Sequence, residues 1–299
     1  MPRNLPHWPD HNRGLALSND LVFKTLFGRA PHLLSDLVNA VRHHAAPIEL
    51  VRVLNPTILP SELQGKQVVL DVLAQDANGW RYAVEMQWRR YLHWPERNVF
   101  YLSRSLAGQL RKGEDYRLLK PVIGISLLGQ DLFRLRPEQA DWFFSLRDAR
   151  NPEVEATQSL QLHIIELRKA ERLQGLPPAL SAWVACLLHN LDKDAMSRIH
   201  HPPVREALRH LDALCSDEQL RMAAERRQQA LIDEQDALDL ARLEGQAEGQ
   251  AALLHALLAH RFGPLPPSLQ TTLRSAGSTQ LQAWALKSLQ ARTLDEVLG

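Results

Sequence analysis

The stretch VVLDVLAQDANGWRYAVEMQW, Val68–Trp88, decides how this chain folds. Two apolar runs, the second carrying Trp80, Tyr82 and Trp88, flank a DANG turn, the composition of a β-hairpin. Two registers compete. A two-residue type I′ turn at Asn78-Gly79 pairs Ala77 with Trp80 and mixes polar and apolar residues on both faces. A three-residue loop, Ala77–Gly79, with Gly79 in the left-handed conformation of a G1 bulge, shifts the pairing by one. It then pairs Val68/Trp88, Leu70/Met86, Val72/Val84 and Ala74/Tyr82 on one apolar face. Val69/Gln87, Asp71/Glu85, Leu73/Ala83 and Gln75/Arg81 occupy the other. A one-residue slip inverts every side chain, so burial selects the second register. Asp71 is therefore expected across from Glu85, with Gln87 on the same face. Two facing carboxylates repel. A divalent ion is the natural compensation, which points to metal-dependent phosphodiester cleavage.

The 299 residues suffice for one large or two modest domains, and 45% hydrophobic with 23% charged residues is ordinary globular composition. Cys186 and Cys215 are the only cysteines and form no CxxC, which argues against a disulfide framework or a zinc knuckle. Residues 1–10 lack the apolar run of a signal peptide, and the longest apolar stretch, near 179–191, is too short to span a bilayer. A cytoplasmic protein without a membrane span is expected.

The net charge of +1 does not announce a nucleic-acid binder, but the charge is unevenly spread. Residues 88–120 carry eight Lys/Arg against three acids, and 217–248 carry nine acids against four bases. The basic run directly follows the hairpin, where a phosphate backbone needs compensating charge. Taken alone, that run reads more simply as a solvated helix with arginines for solubility.

Ser18-Asn19-Asp20 offers N-caps for a helix whose apolar spacing runs to Val41, interrupted around Gly28–Pro31. Residues 48–54 read as a strand, 121–128 as a buried strand and 160–167 as another. Pro95 opens a helical pattern expected to reach Lys112 and stop at Gly113. The expected core is thus α/β with a mixed sheet. Beyond about Ala170 only helical patterns remain, near 178–192, 202–214, 217–260, 266–274 and 278–290. Ala223-Ala224, Ala230-Leu231 and Ala237-Leu238 recur every seven residues, a seam for another helix of the same domain or of a second copy. The glycines of EGQAEGQ, 244–250, suggest a flexible or closely packed joint. The expected division is a core over 15–170, a helical region over 171–248 and a small helical domain over 249–299.

Four motifs in order, NDLVFKTLF (19–27), LDVLA (70–74), VEMQ (84–87) and FYLSRSLAGQLRKGEDY (100–116), resemble the Rpn (recombination-promoting nuclease)/putative transposase family of the PD-(D/E)XK nuclease superfamily. The tail, with RFGPLP at 261–266, is similar to a small C-terminal helical domain of unknown function often appended to such proteins. The resemblance implies a PD-(D/E)XK-like core and a DNA endonuclease using Mg²⁺ or Mn²⁺. It implies Asp71 and Glu85 as metal ligands, with the Met86 backbone carbonyl as a third. Gln87 stands where the superfamily most often has lysine. An amide orients a water or phosphate oxygen but supplies neither charge nor a base. Asp20 matches an N-terminal acidic position that holds a metal-bound water, or is merely a helix-start residue paired with Lys24. Arg97, Tyr101 and Arg104 share one helix face suited to DNA phosphates. Equally, Tyr101 is core and the arginines face solvent. DNA is the expected partner, with a possible homo-oligomer through the C-terminal helices. The competing class is a decayed nuclease fold that binds DNA or a partner without cutting. A transposase proper lacks support from any helix-turn-helix signature. The pairs His43-His44 and His200-His201 read as surface residues.

Overall fold

The computed structural model describes residues 15–54, 72–89 and 93–298. Residues through Arg227 form one compact unit and those from Gln228 a second.

In the first unit, two helices, α1 (Asp20–Arg29) and α2 (Pro31–Val41), precede the sheet. Asn19 caps α1 by accepting from the Leu21 and Val22 amides, and Pro31 opens α2 after the expected break. Three strands follow: β1 (Leu50–Val53), β2 (Val72–Asp76) and β3 (Arg81–Gln87). Helix α3 (Trp94–Ala107) then crosses to β4 (Val122–Leu128), and β5 (Asp141–Arg147) and β6 (Glu155–Glu166) complete a six-stranded sheet of order β1-β2-β3-β4-β6-β5. The three central strands are parallel and both flanks antiparallel, the expected mixed α/β sheet.

The hairpin adopts the three-residue loop. Val72 pairs with Val84, Leu73 with Ala83, Ala74 with Tyr82 and Gln75 with Arg81. Gly79 has φ +83°, where a side chain is strained, and its amide donates to the Asp76 carbonyl. The Asp76 carboxylate is buried and accepts from the Asn78 and Trp80 amides and the Tyr82 hydroxyl. Val72, Ala74, Tyr82, Val84 and Met86 all face the larger core, as the apolar face requires. The rungs at 68–71 lie outside the described residues.

That core lies between one sheet face and the helices α1, α2, α5 (Pro178–His189) and α7 (Pro202–Leu214), centred on Phe23, Phe27 and Trp183. Short helices α4 (Leu167–Leu173) and α6 (Lys193–Ser197) join these pieces. The opposite face carries α3, whose Leu102 packs on Ala83 and Val122. A Cβ at Gly124 would stand 2.7 Å from the Leu102 Cδ1, so glycine sets how closely α3 approaches β4.

Three details depart from the sequence reading. Helix α3 stops at Ala107, with Gly108 as its cap, rather than at Lys112. The Gln109 amide both donates to the Lys120 carbonyl and accepts from its N–H, which folds the chain back toward β4. Strand β5 lies where no strand is expected, because an edge strand half exposed on both faces shows no alternation. Finally, α8 (Glu218–Phe262) runs unbroken through Gly245 and Gly249. A Cβ at either glycine would meet nothing within 4 Å, so neither marks a close joint. Flanking Ala, Gln, Glu and Leu offset a cost of about 1 kcal/mol per glycine.

The seam on α8 packs only at its start: Ala224 is buried, whereas Leu238 is 55% exposed. In the second unit, Ala251, Leu254 and Leu258 of α8 form a core with α9 (Pro267–Ser275), α10 (Ser278–Ser288) and α11 (Leu294–Leu298). Arg261 closes it by donating to the Leu289 and Ala291 carbonyls.

Two buried features generate measurable behaviour. His163 of β6 is fully buried, stacked against Phe143 and His44, which also touch each other, and among the described residues neither ring nitrogen has a hydrogen-bond partner. Burial, then the charges of His44, Arg42 and His43, push its pKa down from 6.5 to about 3. Between those values the unfolded chain binds the proton and the folded chain does not. Stability is therefore full above pH 6.5 and is lost as pH falls toward 3. Urea unfolding at pH 7 and pH 5 is expected to show His163→Phe losing less stability on acidification than the parent, by up to about 1.4 kcal/mol per pH unit. The second feature is the buried Glu166–Lys169 pair, 2.5 Å apart. Lys169 also donates to the Phe133 and Arg136 carbonyls, and Glu166 accepts from the Phe133 amide and Trp142 Nε1. Lys169→Met leaves a buried carboxylate uncompensated and is expected to cost about 3 kcal/mol in thermal unfolding. The double change with Glu166→Gln should recover much of it.

Candidate active site

Glu85 sits near the end of β3 on the face that α3 covers, one rung beyond the last described pair of the hairpin. On its other side it lies beside Ser126 in the parallel ladder with β4. Ser126 Oγ accepts from Asn98 Nδ2 of α3 at 2.7 Å, a buried bond that sets the rotation of the helix over the sheet.

That rotation delivers Arg97. Its Nη2 donates to Glu85 Oε1 at 3.0 Å and to Gln87 Oε1 at 3.2 Å. The Glu85 side chain is only 13% exposed. Burial raises its pKa, while the neighbouring Arg97 charge and hydrogen bond pull it back. Arg97 thus gathers the carboxylate and the amide around one guanidinium. Tyr101 is half-buried with its ring edge-on to Phe100, neither core nor fully solvated. Arg104 faces solvent.

Asp71 lies outside the described residues. The Met86 side chain turns into the larger core, where its sulfur accepts from Trp88 Nε1, so only its backbone is available on the site side. Asp20 begins α1 as expected, but its carboxylate takes a bidentate pair from Arg227 of α8 rather than from Lys24. Among the described residues no group of three His, Cys, Asp or Glu gathers as a metal site. Nor is any helix among them long and apolar enough to cross a membrane.

A shallow, open cleft lies beside Gln87 at the carboxyl ends of β3 and β4, lined by Arg89, Trp94, Leu128 and Gln130 among others. Its place follows the tendency of α/β sheets to bind ligands outside the carboxyl ends of their strands.

Sequence reasoning missed Asn98, Ser126 and Arg227. The first two left a trace: Ser126 interrupts the apolar strand VIGISLL, and Asn98 falls on the Trp94–Leu102 stripe that packs inward. A polar residue in each of two apolar patterns signals a buried pair between them. Arg227 left none, since 207 residues separate it from Asp20.

Among known proteins, no curated protein and no solved structure matches this chain. A family model described as PD-(D/E)XK nuclease family transposase matches residues 17–241. With three quarters of its length so matched and a mixed sheet carrying Glu85 at a strand end, the chain belongs to the PD-(D/E)XK nuclease family transposases.

Proposed function

We propose that this protein is a metal-dependent DNA endonuclease of the recombination-promoting type, centred on Asp71 and Glu85. The hairpin register supports the reading: continued by one rung past Val72–Val84, it would set Asp71, which lies outside the described residues, across from Glu85. Membership of a nuclease family supports the reaction class, and such nucleases generally depend on a divalent metal.

The donor set fits a hard divalent ion. Carboxylate oxygens at 71 and 85 and the Met86 carbonyl suit Mg²⁺ or Mn²⁺ better than a thiolate-loving metal. Glu85, poorly solvated and balanced by Arg97, gains from a cation beside it. When bound, such an ion supplies Lewis-acid polarisation of the phosphate and a water of lowered pKa.

The chain's own groups do the rest. Gln87 orients a water or a phosphate oxygen through its amide, without acting as a base. Arg97 supplies the positive charge that Gln87 lacks, from a helix rather than from the strand. Asp20, held by Arg227, is assigned the metal-bound water by its match to the family's N-terminal acidic position. Arg104 and Tyr101, further along α3, meet the DNA backbone.

Supercoiled plasmid incubated with the full chain and Mg²⁺ or Mn²⁺ should be nicked or linearised, and EDTA should stop the reaction. Asp71→Ala and Glu85→Gln are each expected to lower the rate by about 100-fold or more. DNA affinity without cleavage, and indifferent to Asp71→Ala, would instead identify a binding module on a decayed nuclease fold. In a salt titration, Arg97→Gln and Arg104→Gln should each reduce the slope of log K against log[salt] by about 0.9, the signature of one lost phosphate contact.

A further inference from the structure

We propose that β5 pairs antiparallel with β5 of a second copy of this chain, joining two six-stranded sheets into one across a two-fold axis at Phe144. The strand is the last in the sheet, and among the described residues only β6 pairs with it. Edge strands expose unpaired N–H and C=O groups, which proteins blunt by shortness, Pro, Lys or a covering element. The opposite edge, β1, has four residues, and Arg52 on it bonds to Gln75. By contrast, β5 has seven residues, DWFFSLR, without Pro, Gly or Lys. Its Phe143, Phe144 and Leu146 are 40%, 41% and 49% exposed.

The backbone direction suits pairing. The Glu166 amide donates to the Ala140 carbonyl, so Ala140 faces β6. Alternation then turns the backbone groups of 141, 143 and 145 outward. The Asp141 carbonyl does point away, taking a bond from the exposed Gln139 amide, which can give way.

The sequence of the strand is complementary to itself. Antiparallel pairing about Phe144 sets Phe143 against Ser145 of the second copy, Trp142 against Leu146, and Asp141 against Arg147. Opposite charges meet at both ends, and the outward-facing 143 and 145 become the hydrogen-bonded pair. Parallel pairing would set Asp141 against Asp141. A two-residue shift would leave both charges unmatched. The Asp141 side chain keeps 22% of its surface exposed, and His43 lies 3.7 Å from its carboxylate. Arg147 is oriented by the Ser145 hydroxyl and the Pro152 carbonyl, and its 3.5 Å contact with Glu155 is one it would share with or exchange for Asp141 of the second copy.

The test uses the full chain in a Cys215→Ser background, since Cys186 is buried. Sedimentation should show a concentration-dependent dimer. Phe144→Cys, at the dyad, should form a disulfide dimer with diamide as the two-electron oxidant. Leu146→Cys should not, because its symmetry mate lies about 13 Å along the strand. Asp141→Arg should raise the dimer Kd at least tenfold, and adding Arg147→Asp should restore it. Ser145→Pro removes an outward N–H, which an edge strand tolerates. It should leave the far-UV spectrum intact and abolish the dimer. A monomer at every concentration, or cross-linking no better at 144 than at 146, overturns the proposal. So does a dimer that survives Ser145→Pro, which would place the contact elsewhere, for instance on the exposed leucines of α8.

Discussion

The burial of both faces of β3 is the constraint on which the rest depends. Tyr82, Val84 and Met86 face one helical layer, and Ala83 and Glu85 face α3. Because side chains alternate strictly along a strand, one register satisfies both layers, and the turn must then be the three-residue loop with Gly79 at positive φ. The placement of Glu85 beneath α3 follows from that choice. A slip of one residue would send Glu85 into the apolar core and Met86 to the site.

The same helix decides the electrostatics of the site. Its distance from the sheet is set by Gly124 against Leu102, and its rotation by Asn98 on Ser126. Arg97 reaches Glu85 and Gln87 because both are satisfied. A charged group on a rigid helix over a strand is better positioned than one on a loop. The helix therefore acts as a carrier of charge as well as a lid over apolar surface.

Buried polar groups elsewhere divide into two kinds. Asp76, Glu166 and Lys169 meet partners that pin a turn or a loop. Arg42 and His163 keep nitrogens without any, and Arg42 rests over the Tyr82 ring instead. The first kind adds specificity to the fold. The second leaves desolvated groups, and at His163 the cost appears as acid sensitivity.

Local pattern alone determined much here: the hairpin and its register, the buried strand at 122–128, the break between α1 and α2, and the helical character of everything after Ala170. Each rests on periodicity or on a turn residue with one favoured conformation, information carried within a few neighbouring positions. The Glu85 face was legible for the same reason. What only tertiary structure decided involves partners far apart in the chain: Arg97 turned onto Glu85, Asn98 onto Ser126, Arg227 onto Asp20, and β5 at the sheet edge. Helix α3 also ended early, where Gln109 found Lys120. Such contacts depend on how whole elements stack, and no periodicity within one segment encodes which residue of another it will meet.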